Sequence, residues 1–507
     1  DTFSLVNGPT VNGNVYLGGV EDVNAFDTLL VGDDSAFTGD FDLSRSESAD
    51  AYGNLRISGG KLVLENGVIF DDVVGSDVRR SKLALDMDVL SNANIENIDS
   101  IAVEKDARIE NTFIYSTDGH PDSVLTIAEG KSLTIYGGEQ DFMTPDLGGA
   151  DLGEGNYNLS IMAGAWVDFY SAAEGNFLKA GEKILVTDAT DDVNTRLGSR
   201  LDLNATALGS RIAGTIEATG KNSEIWIDGM GTTILSGEIS VADNANLFVN
   251  SDLFVNGGKI FSAGSSSAAV DVMADNNLYL NADSELTLED GSHLHNAGYV
   301  EVNNGTVTLR SNGYIRNYAG PNSFRFNDGG TFNIETDALI DHGFTFQGFG
   351  VKTAVTIKNA TVTFAAGVLG FGNVTMTGEG NATAEIEGVW NGATQAQYAR
   401  DVIAIANDFA INNFAFEAIN DSTVVNPSDR ETVIEVSAAL AMSGNFSVKA
   451  DVLHVFNTAN LTVSLDNDTA TDEFLFQIGR YEGFADTPGQ LGQRIAITVT
   501  QDPAKDI

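Results

Sequence analysis

The chain has 507 residues and a formal net charge of −45, with 27 Lys and Arg against 72 Asp and Glu, and it contains no Cys. Such a negative field repels nucleic acid and anionic lipid, which excludes binding to phosphate backbones as a main activity. The lack of Cys excludes disulfides, zinc–thiolate sites and thiol nucleophiles, and 54 Gly, 7 Pro and 42% apolar residues are typical of a folded, β-rich chain.

The first part of the chain, residues 1–157, is predicted to be a β-rich region. Alternating segments between Gly-rich turns indicate short strands there, among them Asn14–Leu17, Thr28–Val31, Leu55–Ile57 and Lys61–Leu64. Apolar alternation continues to residue 136. The segment 137–157 is rich in Gly and Asp and contains Pro145, so it is predicted to be a loop that interrupts the ladder of strands.

Residues 158–387 are predicted to form a β-solenoid of repeats of about 22 residues. Its clearest stretch consists of six alternating strands, Asn277–Leu280, Ser284–Leu288, Tyr299–Val302, Thr306–Leu309, Ser323–Phe326 and Thr331–Ile334. The first strand of each pair recurs after 22 and then 24 residues, and the second after 22 and then 25. A period of this size indicates stacked coils. The predicted inward-facing set includes Leu278, Leu280, Val300, Val302, Phe324, Phe326, Phe332 and Ile334.

The last part of the chain, residues 388–507, is predicted to be a separate C-terminal β-domain. Residues 388–402 lack alternation and are the best candidate for a short helix at the boundary. The strands that follow are longer and their turns contain less Gly. Two alternatives remain open at this point, an antiparallel β-sandwich and a cap that covers the end of the solenoid. The fold class is therefore predicted as all-β throughout.

Two His residues are the only candidates for a metal site that contains nitrogen ligands. His293 and His295 are two residues apart, so on a strand they would share a face and could reach one metal ion. A third ligand is not obvious, since Glu289 and Asp290 lie across a turn. A solvated strand face is the alternative interpretation.

Calcium is predicted in acidic loops, because Ca²⁺ takes oxygen ligands from Asp, Asn, Glu and loop carbonyls. One candidate loop, Thr187–Asn194, contains Asp188, Asp191 and Asp192. A second, beginning at Asp466, starts like an EF-hand loop but lacks the Gly and the closing Glu of that motif. The metal ligands predicted from these two loops are Asp188, Asp191, Asp192, Asp466, Asp468 and Asp472.

No catalytic site is predicted. The sequence contains neither a G-x-S-x-G elbow nor an H-E-x-x-H motif. Polysaccharide-cleaving β-helix enzymes place acidic residues on adjacent coils, but the visible doublets, such as Asp71-Asp72, stand in turn-like contexts that explain them without catalysis. The chain is therefore expected not to be an enzyme, and a glycan-active enzyme is kept as an alternative.

The ladder from Asn277 to Leu309 (NLYLNADSELTLEDGSHLHNAGYVEVNNGTVTL) resembles the passenger regions of autotransporter-type adhesins. It also resembles β-rich bacterial surface-layer proteins, which are acidic, free of Cys and rich in Asn, Gly and Thr. The first resemblance implies an adhesin passenger, and the second implies a structural protein that assembles into a surface layer or matrix. A passenger would continue into a membrane barrel, which cannot be read after the last predicted strand, Arg494–Thr500, so the surface layer is preferred.

The remaining expectations concern location and partners. The chain begins at Asp1 without a basic and apolar leader, which suggests a mature, secreted form at the extracellular cell surface. No apolar run approaches the ~18 residues of a membrane span. The expected partners are other copies of the chain and an outer-membrane glycan, with Ca²⁺ as the expected cofactor and no nucleic acid.

Overall fold

A computed structural model describes residues 100–115, 124–149, 155–171, 176–188, 198–264, 269–319, 323–340 and 353–364, with short gaps inside these ranges. Elsewhere it describes strand backbones and isolated residues. The described part is all-β, with parallel strands stacked into a β-solenoid and no helix. The helix predicted at 388–402 lies mostly outside the described residues, and its last three residues belong to the strand Arg400–Ile405.

Alternation of apolar and polar residues builds each coil. The strands Asn277–Leu280 and Tyr299–Val302 both follow the pattern in which every second residue is buried, as expected for a half-buried strand. All eight residues predicted to face inward are 0% exposed: Leu278, Leu280, Val300, Val302, Phe324, Phe326, Phe332 and Ile334. The prediction of a solenoid with an apolar interior is therefore confirmed. Burial of each of these side chains contributes roughly 1.5–3 kcal/mol to the stability of the fold.

The chain forms two compact units. The first consists of residues 1–254 with 258–261 and 267–269, and the second consists of residues 255–257, 262–266 and 270–507. The predicted domain boundaries, 1–157, 158–387 and 388–507, stay predictions.

The coils of the first unit place their strands in three sheets. Its first sheet contains, in order, Ser81–Asp86, Ser100–Val103, Val124–Ile127, Glu139–Asp146, Trp166–Ser171, Arg200–Ala205, Glu224–Asp228 and Asn246–Val249, joined by Asn94–Glu96 and Phe113–Tyr115. The second contains Val89–Ser91, Ala107–Glu110, Leu133–Tyr136, Leu159–Met162, Lys183–Thr187, Thr215–Thr219 and Glu238–Ala242. The third contains Asn176–Leu178, Ser210–Ile212 and Thr232–Leu235. Neighbouring strands of each sheet are parallel.

Strand backbones also cover the beginning of the chain. They are Thr2–Leu5, Thr10–Asn12, Val15–Tyr16, Phe26–Val31, Ala36–Thr38, Phe41–Asp42, Tyr52–Ser58, Lys61–Leu64, Val68–Ile69, Val73–Val74 and Asp77–Val78. The four strands predicted here therefore exist, with shifted ends in three cases.

The strands Asp252–Val255 and Lys259–Ala263 lie in the part of the sequence where the first unit ends and the second begins.

The segment 137–157 is not the continuous loop that was predicted. Residues Glu139–Asp146 form a strand that pairs in parallel with Trp166–Ser171. The turn before it is made by Gly137 and Gly138, with φ of 64° and 79°, a conformation that favours Gly. The Gly-rich composition therefore marks only the turns around this strand, and Pro145 stands near its end.

The second unit repeats the coil with three strands. One sheet contains Asn277–Leu280, Tyr299–Val302, Phe324–Phe326, Phe344–Gln347 and Phe371–Gly372. A second contains Glu285–Glu289, Thr306–Leu309, Thr331–Ile334, Thr353–Lys358, Val374–Glu379, Phe409–Asn412, Ala439–Ser443, Asn460–Leu465 and Thr498–Gln501. The third strands of the coils are Ala269–Val272, His293–Asn296, Tyr314–Asn317, Ala338–Ile340, Thr361–Phe364, Thr383–Glu387, Ala415–Ile419, Phe446–Phe456 and Phe474–Phe484.

The predicted repeat is confirmed, with two corrections. Leu278 pairs with Val300 and Val300 with Phe324, which are the predicted steps. In the second strand of the coil, Glu285 rather than Ser284 pairs with Thr306. Within residues 277–334 the sequence pattern also missed the third strands of the coils, His293–Asn296 and Tyr314–Asn317, because these strands are short and contain polar residues that face inward.

The C-terminal strands pair in parallel as well. Arg400–Ile405 pairs with Glu431–Val436, and Phe446–Phe456 pairs with Phe474–Phe484. This is the strand direction of stacked coils rather than of an antiparallel sandwich.

Candidate functional site

The first unit carries a group of carboxylates on the outward face of its first sheet. Oxygens of Glu139, Asp141 and Asp168 all lie within 4.8 Å of one another. Asp141, Asp168 and Asp202 pair in register on three successive strands, and such strands are about 4.8 Å apart. The three Asp therefore form a column of carboxyl groups across neighbouring coils, which we call the Asp column.

The alternation of each strand turns the Asp column outward. The residues that follow the three Asp in sequence are 0% exposed and lie in the core: Phe142, Phe169 and Leu203. Gly138 immediately precedes the strand Glu139–Asp146. Any larger residue would place its Cβ on the carbonyl oxygen of Thr112. The side-chain amide of Gln140 donates a hydrogen bond to the same oxygen. These two contacts fix where the strand that carries Glu139 and Asp141 begins.

Burial and crowding change the acidity of the column. Burial, with the charges of Asp202 and Asp141, raises the pKa of Asp168 to about 8. Burial and the charge of Glu139 raise the pKa of Asp141 to about 6. Asp168 therefore keeps its proton at neutral pH, although the Nδ2 group of Asn204 donates a hydrogen bond to its Oδ1 at 3.2 Å.

Arg200 is the cation that faces the column. Its Nε lies 2.5 Å from Oδ1 of Asp202 and its Nη2 lies 2.6 Å from Oδ2, a bidentate geometry that belongs to the strong class of ion pairs. Burial raises the pKa of Asp202, and the pair with Arg200 acts in the opposite direction. The column thus combines a carboxyl group that keeps its proton, Asp168, with a neighbour that is paired with a cation.

Aromatic rings cover the guanidinium group of Arg200. It lies 4.4 Å from the ring centroid of Trp166 and 4.3 Å from that of Trp226, so cation–π attraction holds it from two sides. Trp226 in turn stacks on Phe248 at 4.2 Å. Trp166 remains 38% exposed. The acidic group is therefore bordered by flat aromatic faces, one of which is open to solvent.

This arrangement can support two kinds of chemistry. Carboxylate oxygens are the ligands that Ca²⁺ prefers, so Glu139, Asp141 and Asp168 could hold this ion once Asp168 loses its proton. Carboxyl groups with different pKa values can also act as general acid and base on a glycosidic bond. Asp168 and Asp202 are only 6% and 4% exposed, so either ligand would approach from the side of Glu139 and Asp141.

The second unit carries a different cluster of titratable groups, made of Asp271, His293 and His295. The ring centroids of the two His are 4.1 Å apart, as expected for neighbours on one face of the strand His293–Asn296. Nδ1 of His295 lies 2.9 Å from Oδ1 of Asp271. Burial, with the charges of His295 and Arg316, lowers the pKa of His293 to about 4, so this ring is neutral at physiological pH.

The structure does not bring the predicted calcium ligands together with the Asp column. Asp188 is 3% exposed, and its carboxylate occupies the space next to Gly220, where a Cβ would overlap it. It does not belong to the group of Glu139, Asp141 and Asp168. The other five predicted ligands lie outside the described residues, so calcium binding there stays a prediction: Asp191, Asp192, Asp466, Asp468 and Asp472.

Sequence reasoning missed the Asp column and Glu139. The available signal was alternation, because Glu139 and Asp141 are two residues apart and Asp168 and Asp202 each precede a large apolar residue. Nothing in the sequence indicated that these strands are neighbours at one register.

Comparisons with protein families and with curated proteins found no match to this chain. No helix among the described residues has the length and apolar character that a membrane crossing requires.

Proposed function

We propose that this chain is a structural protein of the extracellular cell surface that assembles with its own copies into a surface layer or matrix. The observation that carries the proposal is the stack of coils, in which strands pair in parallel and in register within each unit. Each unit therefore presents long repeated faces, which are the binding surfaces of solenoid proteins.

Charge supports a role for divalent cations in this assembly. A chain with a net charge of −45 repels its own copies, since like charges on facing surfaces oppose contact. Salt screens this repulsion over about 10 Å at 0.1 M. Calcium does more, because it joins oxygen ligands of two molecules at fixed geometry. The group of Glu139, Asp141 and Asp168 offers such oxygens at an outward face.

Sedimentation velocity of the purified chain tests the proposal. We expect large, regular assemblies in millimolar calcium, monomers after addition of excess chelator, and assemblies again when calcium is returned. Negative-stain images of the calcium sample should show a sheet or filament. A monomer in all three conditions would overturn the proposal and favour the alternative of an adhesin, in which the negative charge only keeps a single molecule soluble.

A second candidate function, cleavage of a glycan, is favoured by one specific observation. Asp168, with a pKa of about 8, lies in register with Asp141 and Asp202 and beside the exposed ring of Trp166. A proton donor together with an ionised carboxylate is the pair of groups that a glycosidase uses. Such an enzyme would release reducing ends from a polysaccharide, and Asp168→Asn would remove this activity.

The control for this second candidate is Glu238→Gln. It removes one negative charge from an exposed position of the same unit and should leave the release of reducing ends unchanged. Absence of products from neutral and anionic polysaccharides would contradict the enzyme and agree with the original prediction of a non-catalytic chain.

A further inference from the structure

The cluster of Asp271, His293 and His295 contains two nitrogen atoms that the fold leaves without a hydrogen bond. They are Nδ1 of His293 and Nε2 of His295, which are buried and have no partner among the described residues. An unsatisfied buried polar atom costs about 1–3 kcal/mol. Native structures contain few such atoms, and each of them requires an explanation.

The position of the proton on His295 follows from its contact with Asp271. Because Nδ1 lies 2.9 Å from a carboxylate oxygen, it carries the hydrogen and donates it to Asp271. In a neutral ring, Nε2 then has a free lone pair. A carboxylate that holds the opposite nitrogen of an imidazole is the arrangement commonly found behind metal-bound His.

Aromatic contacts hold the two rings in place. The ring of His293 stacks on Tyr314 with centroids 5.0 Å apart and planes at 11°, and His295 meets the edge of Tyr318 at 5.7 Å. His293 is only 5% exposed. Both imidazoles are therefore oriented before any ligand arrives, which reduces the entropy lost on binding.

The two rings are close enough to act on one ion. Two imidazole nitrogens at 2.0–2.1 Å from the same metal are about 3 Å apart in a tetrahedral or octahedral site. Ring centroids separated by 4.1 Å place the two rings within the span of one such site. The opposing feature is Arg316, which pairs in register with His295, but its guanidinium lies over the ring of Tyr314 at 5.0 Å.

We propose that His293 and His295 bind one divalent transition-metal ion through Nδ1 of the first ring and Nε2 of the second, with Asp271 holding the second ring in place. Imidazole pairs suit Zn²⁺, Cu²⁺ and Ni²⁺, whereas Ca²⁺ and Mg²⁺ prefer oxygen. Two protein ligands leave further coordination positions for water. This site is separate from the carboxylates of the Asp column and does not depend on the proposed function.

Isothermal titration of the chelator-treated full chain with ZnCl₂ at pH 7.5, without added calcium, tests this site. We expect one Zn²⁺ per chain with a dissociation constant in the micromolar range. The variant His293→Phe keeps an aromatic ring against Tyr314 and should weaken Zn²⁺ binding at least 100-fold. Asp271→Asn should weaken it about 10-fold, as outer partners of metal-bound His do.

The variant His454→Asn is the matched control, because it removes a His from another strand and should leave the affinity unchanged. Far-UV circular dichroism of each variant checks that the β fold is kept. NMR of the His ring nitrogens provides the second measurement, and Zn²⁺ should shift Nδ1 of His293 and Nε2 of His295. The proposal is overturned if the wild-type chain takes up no Zn²⁺, or if folded His293→Phe binds Zn²⁺ as tightly as the wild type.

Discussion

The core of the second unit and the outward face of the first unit use the same geometry with opposite energetic results. In the core, Phe324 pairs in register with Phe344, and Phe326 with Phe346. Their rings are 4.5 Å and 5.1 Å apart and nearly parallel. On the outward face, Asp141, Asp168 and Asp202 are in register in the same way. Parallel coils place equal residues next to each other in both regions.

The difference shows what a solenoid gains and loses from repetition. Stacked aromatic rings bury area and contribute about 0.5–1.5 kcal/mol beyond that burial. Buried, stacked carboxyl groups lose hydration and repel each other, and the raised pKa of Asp168, caused first by burial and then by the charges of Asp202 and Asp141, expresses this cost. A column of Asp is therefore not explained by stability. Residues that lower stability are typical of functional sites, which supports a role for the Asp column.

The largest effect is expected from breaking the aromatic stack. Phe326→Ala removes a ring that is 0% exposed and lies 4.9 Å from Phe332 and 5.1 Å from Phe346. We expect a loss of about 3–5 kcal/mol in the free energy of unfolding, because such truncations leave a cavity. Hydrogen exchange of the strands Phe324–Phe326 and Phe344–Gln347 should accelerate accordingly. Leu339→Ala, at a site 58% exposed, should change little, and equal effects would contradict the role of the stack.

The next effect is expected from removing the cation of the Asp column. Arg200→Met leaves Asp202 without its partner, while the thioether chain still fills the space between Trp166 and Trp226. We expect a loss of about 2 kcal/mol, below the ~3–5 kcal/mol of fully buried pairs, because the side chain of Arg200 is 28% exposed.

The control for this prediction is Arg310→Met. Arg310 pairs with Glu335 at 3.1 Å, and the two side chains are 45% and 34% exposed. Exposed pairs contribute about 0–1 kcal/mol. Urea unfolding of both variants measures the difference, and a smaller loss in Arg200→Met than in Arg310→Met would show that Asp202 does not need its counterion.

The sequence was sufficient to predict the coils but not the Asp column, for reasons that particular residues make clear. The inward residue between Glu139 and Asp141 is Gln140, which bonds the carbonyl of Thr112 instead of packing as an apolar residue. The strand therefore lacks the expected apolar pattern and was predicted as a loop. The third strand His293–Asn296 was missed for the same reason, because Asn296 faces inward and its Nδ2 donates a hydrogen bond to Oδ1 of Asn317 at 2.8 Å.

Register was the second obstacle. The coils of the first unit differ in length, so Asp141, Asp168 and Asp202 recur without a fixed step and no periodic search aligns them. In the second unit the steps are nearly constant, and there the predicted pairs, such as Leu278 with Val300, are confirmed. His293 and His295 were recognised because they are adjacent on one strand, whereas Asp271 comes from the preceding coil and was missed.

A stabilising substitution is expected within the Asp column. Asp168→Asn keeps the size of the side chain and removes a carboxyl group that is partly ionised at pH 8 beside Asp141 and Asp202. We expect a gain of about 0.5–2 kcal/mol at pH 8, the usual range for substitutions that relieve such a cost. Thermal unfolding measures it, with Glu238→Gln as the variant that removes an exposed charge. A destabilised Asp168→Asn would mean that the carboxyl group contributes bonds that Asn cannot replace.

The last expected effect is a change with pH in the stability gained by Asp168→Asn. The pKa of Asp168 is about 8 in the folded chain and 3.8 as the reference value, so folding takes up a proton between these values and stability rises as pH falls. The pKa of His293 is lowered to about 4, so its contribution makes stability fall as the pH falls below 6.5. The contribution of His293 is the same in the wild type and in Asp168→Asn. The difference in melting temperature between the two proteins therefore reports on Asp168 alone. Melting temperatures at pH 8, 7, 6 and 5 should show the advantage of the variant shrinking toward pH 5, and an advantage that stays constant would mean that Asp168 is ionised throughout.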